Sequence, residues 1–302
     1  MSDTLLPDYL HLPAAELGKG TPVQVRVLGD MTSLAEDFAR TLLAEVRAAQ
    51  AAGRGGTFIV PVGPVDQFPI LARLVNEGRL SLRDVVFINM DEYLTDDDAW
   101  VPAAHPLSFR GYMERAFYGL LDPKLRPPPE HRVFPDPRDC GAVQRLIDAR
   151  GGVDVTFGGI GINGHIAFNE PPEPPPENAE CGVRNAESGQ RLRTSSPTVE
   201  EFAALPTRVL SLARETRTIN SVTVGGGIEV VPTRCVTVGM KEILASRKLR
   251  FYCNRPWQSA VVRRVLHGPV TPACPASLLR RHADAVLTVA DYVARPPDIR
   301  LR

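Results

Sequence analysis

Two short stretches carry side chains suited to proton transfer. One is GGIGINGHIAFNEP, Gly158–Pro171, which sets His165 in a glycine-rich turn between Asn163 and Glu170. The other is NMDEY, Asn89–Tyr93, where Asp91 and Glu92 close the apolar run VVFINM. Glycines at this density mark a backbone that bends sharply or approaches something closely. A histidine there can move a proton near neutral pH. A carboxylate accepting one ring N–H fixes the tautomer and leaves the other nitrogen available. Glu170 is close enough in sequence to do this, and Asn163 can orient the ring without charge. The plainer alternative for His165 is a satisfied structural residue. Side chains alternate along an extended chain, so at most one of Asp91 and Glu92 faces a ligand directly. The plainer alternative for either is helix capping or a solvated loop. Asp96, Asp97 and Asp98 read as solvated.

Other motifs are weaker. Gly225-Gly226-Gly227 suggests a phosphate cradle, but neither a Walker lysine nor a GxGxxG fingerprint accompanies it. Gly29-Asp30-Met31 lacks the dinucleotide pattern, and no GxSxG elbow is present. His11, His105, His131, His267 and His282 show no metal-ligand spacing. The segment Pro269–His282 reads as a turn and helix near the C-terminus.

Positioning these residues requires a scaffold, and its pattern is legible. Val23–Gly29 alternates as a strand. The helix after it carries Ser33 and Glu36 at capping-box spacing, with Leu34, Phe38, Leu42 and Val46 on one face. Strands are expected at Thr57–Gly63, Val85–Met90, Val153–Gly161, Cys235–Gly239, Lys248–Cys253 and Ala285–Ala290. Helices are expected at Asp66–Asn76, around Phe109–Leu120 and near Arg138–Arg150. This alternation predicts an α/β fold over 1–302: a doubly wound, mostly parallel sheet with helices on both faces. Ligands bind such sheets beyond the carboxyl ends of the strands. Three of those ends, Pro61–Pro64, Asp91–Tyr93 and Gly158–Glu170, then meet in one crevice. The long irregular segment Pro171–Pro197 is rich in Pro, Glu and Ser and resists core packing, so a lid is expected within 171–215.

Composition limits the function classes. The chain has 302 residues, a formal net charge of zero and 43% hydrophobic residues, enough for a sizeable core. Balanced charge gives no argument for nucleic acid or an anionic membrane. No window reaches the roughly 18 apolar residues of a membrane span, and the first residues lack a signal-peptide pattern. The five cysteines are scattered without CxxC, the pattern of reduced thiols in a cytoplasmic protein.

The two leading motifs together resemble the glucosamine-6-phosphate deaminase/isomerase family. TRTINS (Thr216–Ser221), CVTVGMKEIL (Cys235–Leu244) and GPVTPACPASLLRRH (Gly268–His282) continue the likeness in matching order. The resemblance implies a modified Rossmann-like domain with a mobile lid. It implies a reaction that turns an amino-sugar phosphate into a ketose phosphate and ammonia, without metal or organic cofactor. By position, Asp91 is the base that carries a proton between C2 and C1. His165 assists ring opening, held by Asn163 and Glu170. Gly159, Gly161 and Gly164 line the substrate through their backbone, with Gly63, Pro64, Glu92, Arg208 and Trp257 as further contacts. Glycine-turn N–H groups are expected to face the developing enol oxygen. Family members carry either aspartate or asparagine where Asn163 stands. The expected partner is a small amino sugar or sugar phosphate, with homo-oligomerisation left open.

The departures concern phosphate. The family turn after the second strand is rich in Gly, Ser and Thr and ends Thr-Pro; this chain has Val62-Gly63-Pro64-Val65-Asp66. Pro64 has no N–H, Val65 has no hydroxyl, and Asp66 repels a dianion. Val222 stands where the family often has arginine, and Trp257 or Gln258 where it has lysine. Arg208, Arg217 and Arg255 are the available substitutes. These departures lead to the expectation of a sugar without the usual 6-phosphate. A lactone hydrolase of the related 6-phosphogluconolactonase branch and a non-catalytic sugar-binding regulator stand as alternatives.

Overall fold

The computed structural model describes residues 6–63, 66–173 and 196–298. Its main sheet holds seven strands, all pairings parallel. They are β1 (Gln24–Leu28), β2 (Thr57–Val60), β3 (Val86–Asn89), β5 (Arg132–Val133), β6 (Val155–Gly158), β9 (Lys248–Cys253) and β10 (Ala285–Ala290). Their order is β1-β10-β9-β6-β2-β3-β5. The chain moves outward from β2 through β3 to β5, and the other way from β6 through β9 to β10. Strand order therefore reverses between β2 and β6, and a ligand crevice forms at such a switch point.

Helix α1 (Met31–Ala51) follows β1 and buries Leu34, Phe38, Leu42 and Val46, the expected stripe. Phe38 lies 5.0 Å from the Phe157 ring and 4.6 Å from that of Tyr252, tying α1 to β6 and β9. Truncating such a residue to alanine costs about 3–5 kcal/mol. The cap of α1 is Asp30, whose carboxylate accepts from Ser33 N at 2.7 Å, so Ser33 is the third helical residue rather than the cap. Helix α2 (Gln67–Glu77) packs on α1 and follows β2. The helix expected around Phe109–Leu120 divides into α3 (Phe109–Ala116) and a 3-10 turn, Tyr118–Leu120. Helix α4 (Gly141–Ala149) precedes β6.

One expectation needs correction. Asp91–Leu94 is not a loop, and the strand near Cys235 is not part of the parallel sheet. Strands β4 (Asp91–Leu94), β7 (Arg208–Ser211) and β8 (Arg234–Thr237) form a second, antiparallel sheet in the order β4-β8-β7. Only pairing partners distant in sequence decide which sheet a four-residue apolar run joins, so local pattern misplaced them. Within the expected lid, 174–195 lie outside the described residues. The rest of 171–215 contains α5 (Val199–Ala203), β7 and the start of α6 (Arg214–Ser221). Helices α7 (Met240–Leu244) and α8 (Gln258–His267) follow β8 and β9.

Candidate active site

The loop leaving β6 is shaped around His165. A Cβ placed on Gly161 would fall 2.0 Å from the imidazole, so only glycine lets the ring lie on this backbone. Gly164 has φ +89°, and a Cβ there would strike Cys274 Sγ at 2.6 Å. The amides of Gly161 and Gly164 bond the carbonyls of His165 and Gly161. Those two N–H groups therefore close the loop, and neither is available to an enol oxygen.

His165 Nδ1 lies 2.8 Å from Asn163 Oδ1, 3.4 Å from Glu170 Oε2 and 3.2 Å from Thr216 Oγ1. Asn163 Nδ2 donates to Glu170 Oε2 at 2.7 Å. A carboxylate only accepts, so this bond fixes the amide with its oxygen toward the ring. Nδ1 thus faces two acceptors and carries the proton, which leaves the Nε2 lone pair for chemistry. Burial works to raise the Glu170 pKa. Hydrogen bonds from His165, Asn163 and Thr216 outweigh it and hold the carboxyl below its ordinary value. Among the described residues, the buried Glu170 Oε1 has no hydrogen-bond partner.

Asp91 enters from the second sheet. It stands opposite Thr237 on β8, and Thr237 stands opposite Arg208 on β7. Directly opposed side chains in a sheet share a face. Thr237 Oγ1 accepts from Phe168 N at 3.0 Å, and Arg208 Nη1 donates to Asn169 Oδ1 at 2.7 Å. The face bearing Asp91, Thr237 and Arg208 therefore covers the loop that carries His165 and Glu170. Two residues along on the same face, Cys235 has its thiol pKa pushed up by burial first, then by Asp91 and Glu170. Its partner Tyr93 packs against Phe168, ring centroids 5.3 Å apart. Asp91 itself is only 6% exposed. Burial, then the neighbouring Glu92, hold its pKa well above the ordinary carboxylate value.

Glu92 points the other way and is fully buried. Its carboxylate accepts from Phe109 N, Arg110 N, Ser108 Oγ and Arg110 Nε at 2.8–3.2 Å. It caps α3, so the structure does not bring Glu92 to the crevice. Asp98 is likewise not merely solvated: it pairs with Arg234. Gly63 is exposed at the end of β2, and Pro64 lies outside the described residues. Gly159 follows β6 directly, and partly buried Trp257 stands just before α8. Gln258 is used internally, accepting from Arg255 N and donating to Ile160 O, each at 2.7 Å. Val222 is 70% exposed. Arg217 donates to Ile228 O, and neither it nor Arg208 has a carboxylate in ion-pair reach among the described residues.

Sequence reasoning missed Thr216, Thr237 and Asn169. Fully buried Thr216 touches His165, and Asn169 bonds Ile166 O and Val238 O while accepting from Arg208. Thr216 and Asn169 lie inside the segments that carry the family resemblance, which was the only signal available for them.

The chain is 30% identical over 227 residues to the glucosamine-6-phosphate deaminase of Beutenbergia cavernae, covering 71% of this chain and 76% of that protein. With the Cellvibrio japonicus enzyme of the same name it shares 32% over 237 residues, 76% of each. The chain belongs to the glucosamine-6-phosphate deaminase family. Family membership agrees with the fold. A solved monomeric glucosamine-6-phosphate deaminase superposes with TM-score 0.68 at 24% identity, covering 90% of this chain and 99% of the other. The 6-phosphogluconolactonase of Thermotoga maritima shares the fold at TM-score 0.59 and 14% identity, over 89% of this chain and 100% of that one. No family-level sequence model matches the chain. Among the described residues, no helix is long and apolar enough to cross a membrane.

Proposed function

We propose that this protein is an amino-sugar deaminase and ketol isomerase in which Asp91 moves the proton and His165 opens the ring. The observation carrying the reading is the shared face: Asp91 lies in one row with Thr237 and Arg208, whose side chains bond the His165–Glu170 loop. His165 Nε2 takes the C1 hydroxyl proton and returns it to the ring oxygen as the C1–O bond breaks. The resulting C1 carbonyl acidifies the C2 proton. Asp91 abstracts it and delivers it to C1 while an amine proton passes to the C1 oxygen, leaving a hydroxyl at C1 and an imine at C2. Water adds there, the C–N bond breaks, and ammonia and a ketose leave.

Burial suits Asp91 to this work. A carboxylate short of solvation holds a proton more tightly and is a stronger base when ionised. Glu170 takes the complementary part, its charge retained to hold the protonated Nδ1 of His165.

The finer reading concerns the distal carbon of the sugar. Exposed Asp66 ends the β2–α2 turn, and Val222 offers no charge. Burial, then Asp66, push the Tyr112 hydroxyl up to about 12. A desolvated dianion there would be underpaired. These side chains favour a substrate without a 6-phosphate.

The test is incubation of purified protein with glucosamine and with its 6-phosphate, reading ammonia and ketose together. Production of both products from one sugar, abolished in Asp91→Asn, is expected. Ketose and ammonia absent with every amino sugar tried would reject the reading.

A further inference from the structure

Helix α6 carries three hydroxyls, and one of them is used differently from the others. Thr218 Oγ1 donates to Arg214 O at 2.8 Å and Ser221 Oγ to Thr218 O at 2.7 Å, the ordinary back-bonding of a hydroxyl inside a helix. Thr216 is fully buried, and its Oγ1 instead lies 3.2 Å from His165 Nδ1.

The ring needs such a neighbour. Glu170 Oε2 stands 3.4 Å from His165 Nδ1, outside the roughly 2.7–3.2 Å of an N–H···O bond. The carboxylate and the imidazole are therefore joined through neutral side chains. Asn163 is one bridge, donating Nδ2 to Glu170 and turning Oδ1 to the ring. Thr216 is placed to be the second. Nδ1 holds the proton, so the hydroxyl oxygen accepts there. A hydroxyl has one proton of its own to give, and Glu170 is the acceptor beside it, its carboxyl held low in part by this hydroxyl. The helix is fixed from its other end. Asn220, one turn along the same face of α6, donates to Tyr93 Oη at 2.8 Å. Tyr93 stands two residues from Asp91 on β4. Helix α6 is thus tied both to the strand that carries Asp91 and to the loop that carries His165.

We propose that Thr216 is a positioning residue of the proton-transfer site, its hydroxyl accepting from His165 Nδ1–H and donating to Glu170. Linked hydrogen bonds polarise one another. The bridge therefore carries the carboxylate's charge to the ring, steadies the ring's orientation and keeps Nε2 free for the substrate. This inference rests on the deaminase reading for what the ring does, and it adds a residue that reading leaves without a role.

Thr216→Val keeps the shape and removes the hydroxyl; Thr216→Ser keeps the hydroxyl and removes the methyl. Ammonia release is followed with glucosamine and with its 6-phosphate. The titration of Glu170 is followed by carboxyl NMR and assigned with Glu170→Gln. Thermal unfolding is recorded for each protein. Thr216→Val is expected to lower kcat about tenfold, the rate equivalent of one hydrogen bond, with KM within about twofold of wild type. It is also expected to raise the Glu170 pKa. Thr216→Ser is expected to restore both. The other titratable groups facing Glu170, His165 and the Cys235 thiol, are the same in all these proteins. Should Thr216→Val not fold, Thr216→Ala takes its place. A Glu170 titration unmoved by loss of the hydroxyl would overturn the inference. So would a Thr216→Ser protein as slow as Thr216→Val, because packing of the methyl would then be what matters. Wild-type protein releasing no ammonia from either sugar would instead reject the deaminase reading, while the NMR titration still decides whether Thr216 serves Glu170.

Discussion

Asp91 and Thr237 face each other directly across an antiparallel strand pair, and Thr237 in turn bonds the amide of Phe168. This register brings a carboxylate from one sheet over a loop that leaves the other. Asp91 is buried in this arrangement, paired with β8 on a face where Tyr93 packs against Phe168 of the loop.

Burial makes Asp91 a liability for stability. Its folded pKa lies above the ordinary unfolded value of about 3.9. Between the two values the native state binds more protons, so stability falls as pH rises through that window and stays lower above it. Asp91→Asn is expected to raise the thermal midpoint at neutral pH, with the gain vanishing below about pH 4. The same variant is expected to lose about 10²–10⁴-fold in turnover, the worth of a general base. Melting curves across pH, paired with an ammonia assay, check both. A variant that unfolds earlier at pH 7 contradicts the burial argument.

Glu170 has the opposite sign. Its folded pKa is depressed, so its contribution is present above the unfolded value and lost as pH falls through the folded one. Glu170→Gln is expected to destabilise the protein at pH 7, and the difference from wild type is expected to shrink as the solution is acidified. An unchanging gap down to acid pH would show the charge to be irrelevant.

Glu92 separates structure from chemistry one residue away. It receives two backbone amides, a hydroxyl and a guanidinium at the start of α3. Glu92→Gln is expected to cost about 1–3 kcal/mol in chemical denaturation, the range for disturbing buried charged hydrogen bonds. KM is expected to remain near wild type. A large KM change without loss of stability would place Glu92 in the crevice after all.

Gly161→Ala tests the ring's seat. The added methyl would overlap the imidazole at 2.0 Å, so His165 must move. A displacement of about 1 Å in a reacting group costs roughly 10²-fold in rate. The protein is expected to fold with near-native circular dichroism and lose activity on that scale. Unchanged turnover would mean that the ring position seen here is not the working one.

Much of this architecture is readable from local pattern. The apolar runs before Asp91 and before the Gly158 turn are strand-like on their own, and the stripe on α1 has a helical period. What escapes local reading is set by distant partners. Asp91 and Thr237 are paired across nearly half of the chain, and four-residue strands do not announce which sheet they join. Thr216 and Asn169 are ordinary polar residues until folding places them beside His165 and Arg208. The choice between Asp91 and Glu92 required knowing that Ser108–Arg110 begins a helix beneath one of them.

The central claim is that one buried carboxylate carries the proton from C2 to C1. The direct measurement uses an amino sugar deuterated at C2, turned over in ordinary water, with deuterium located in the ketose by NMR or mass spectrometry. The account predicts slowed turnover relative to the protiated sugar, part of the label recovered at C1, and none of this with Asp91→Asn. Ketose formed at equal rates by wild type and Asp91→Asn, with no label at C1 in either, would contradict it.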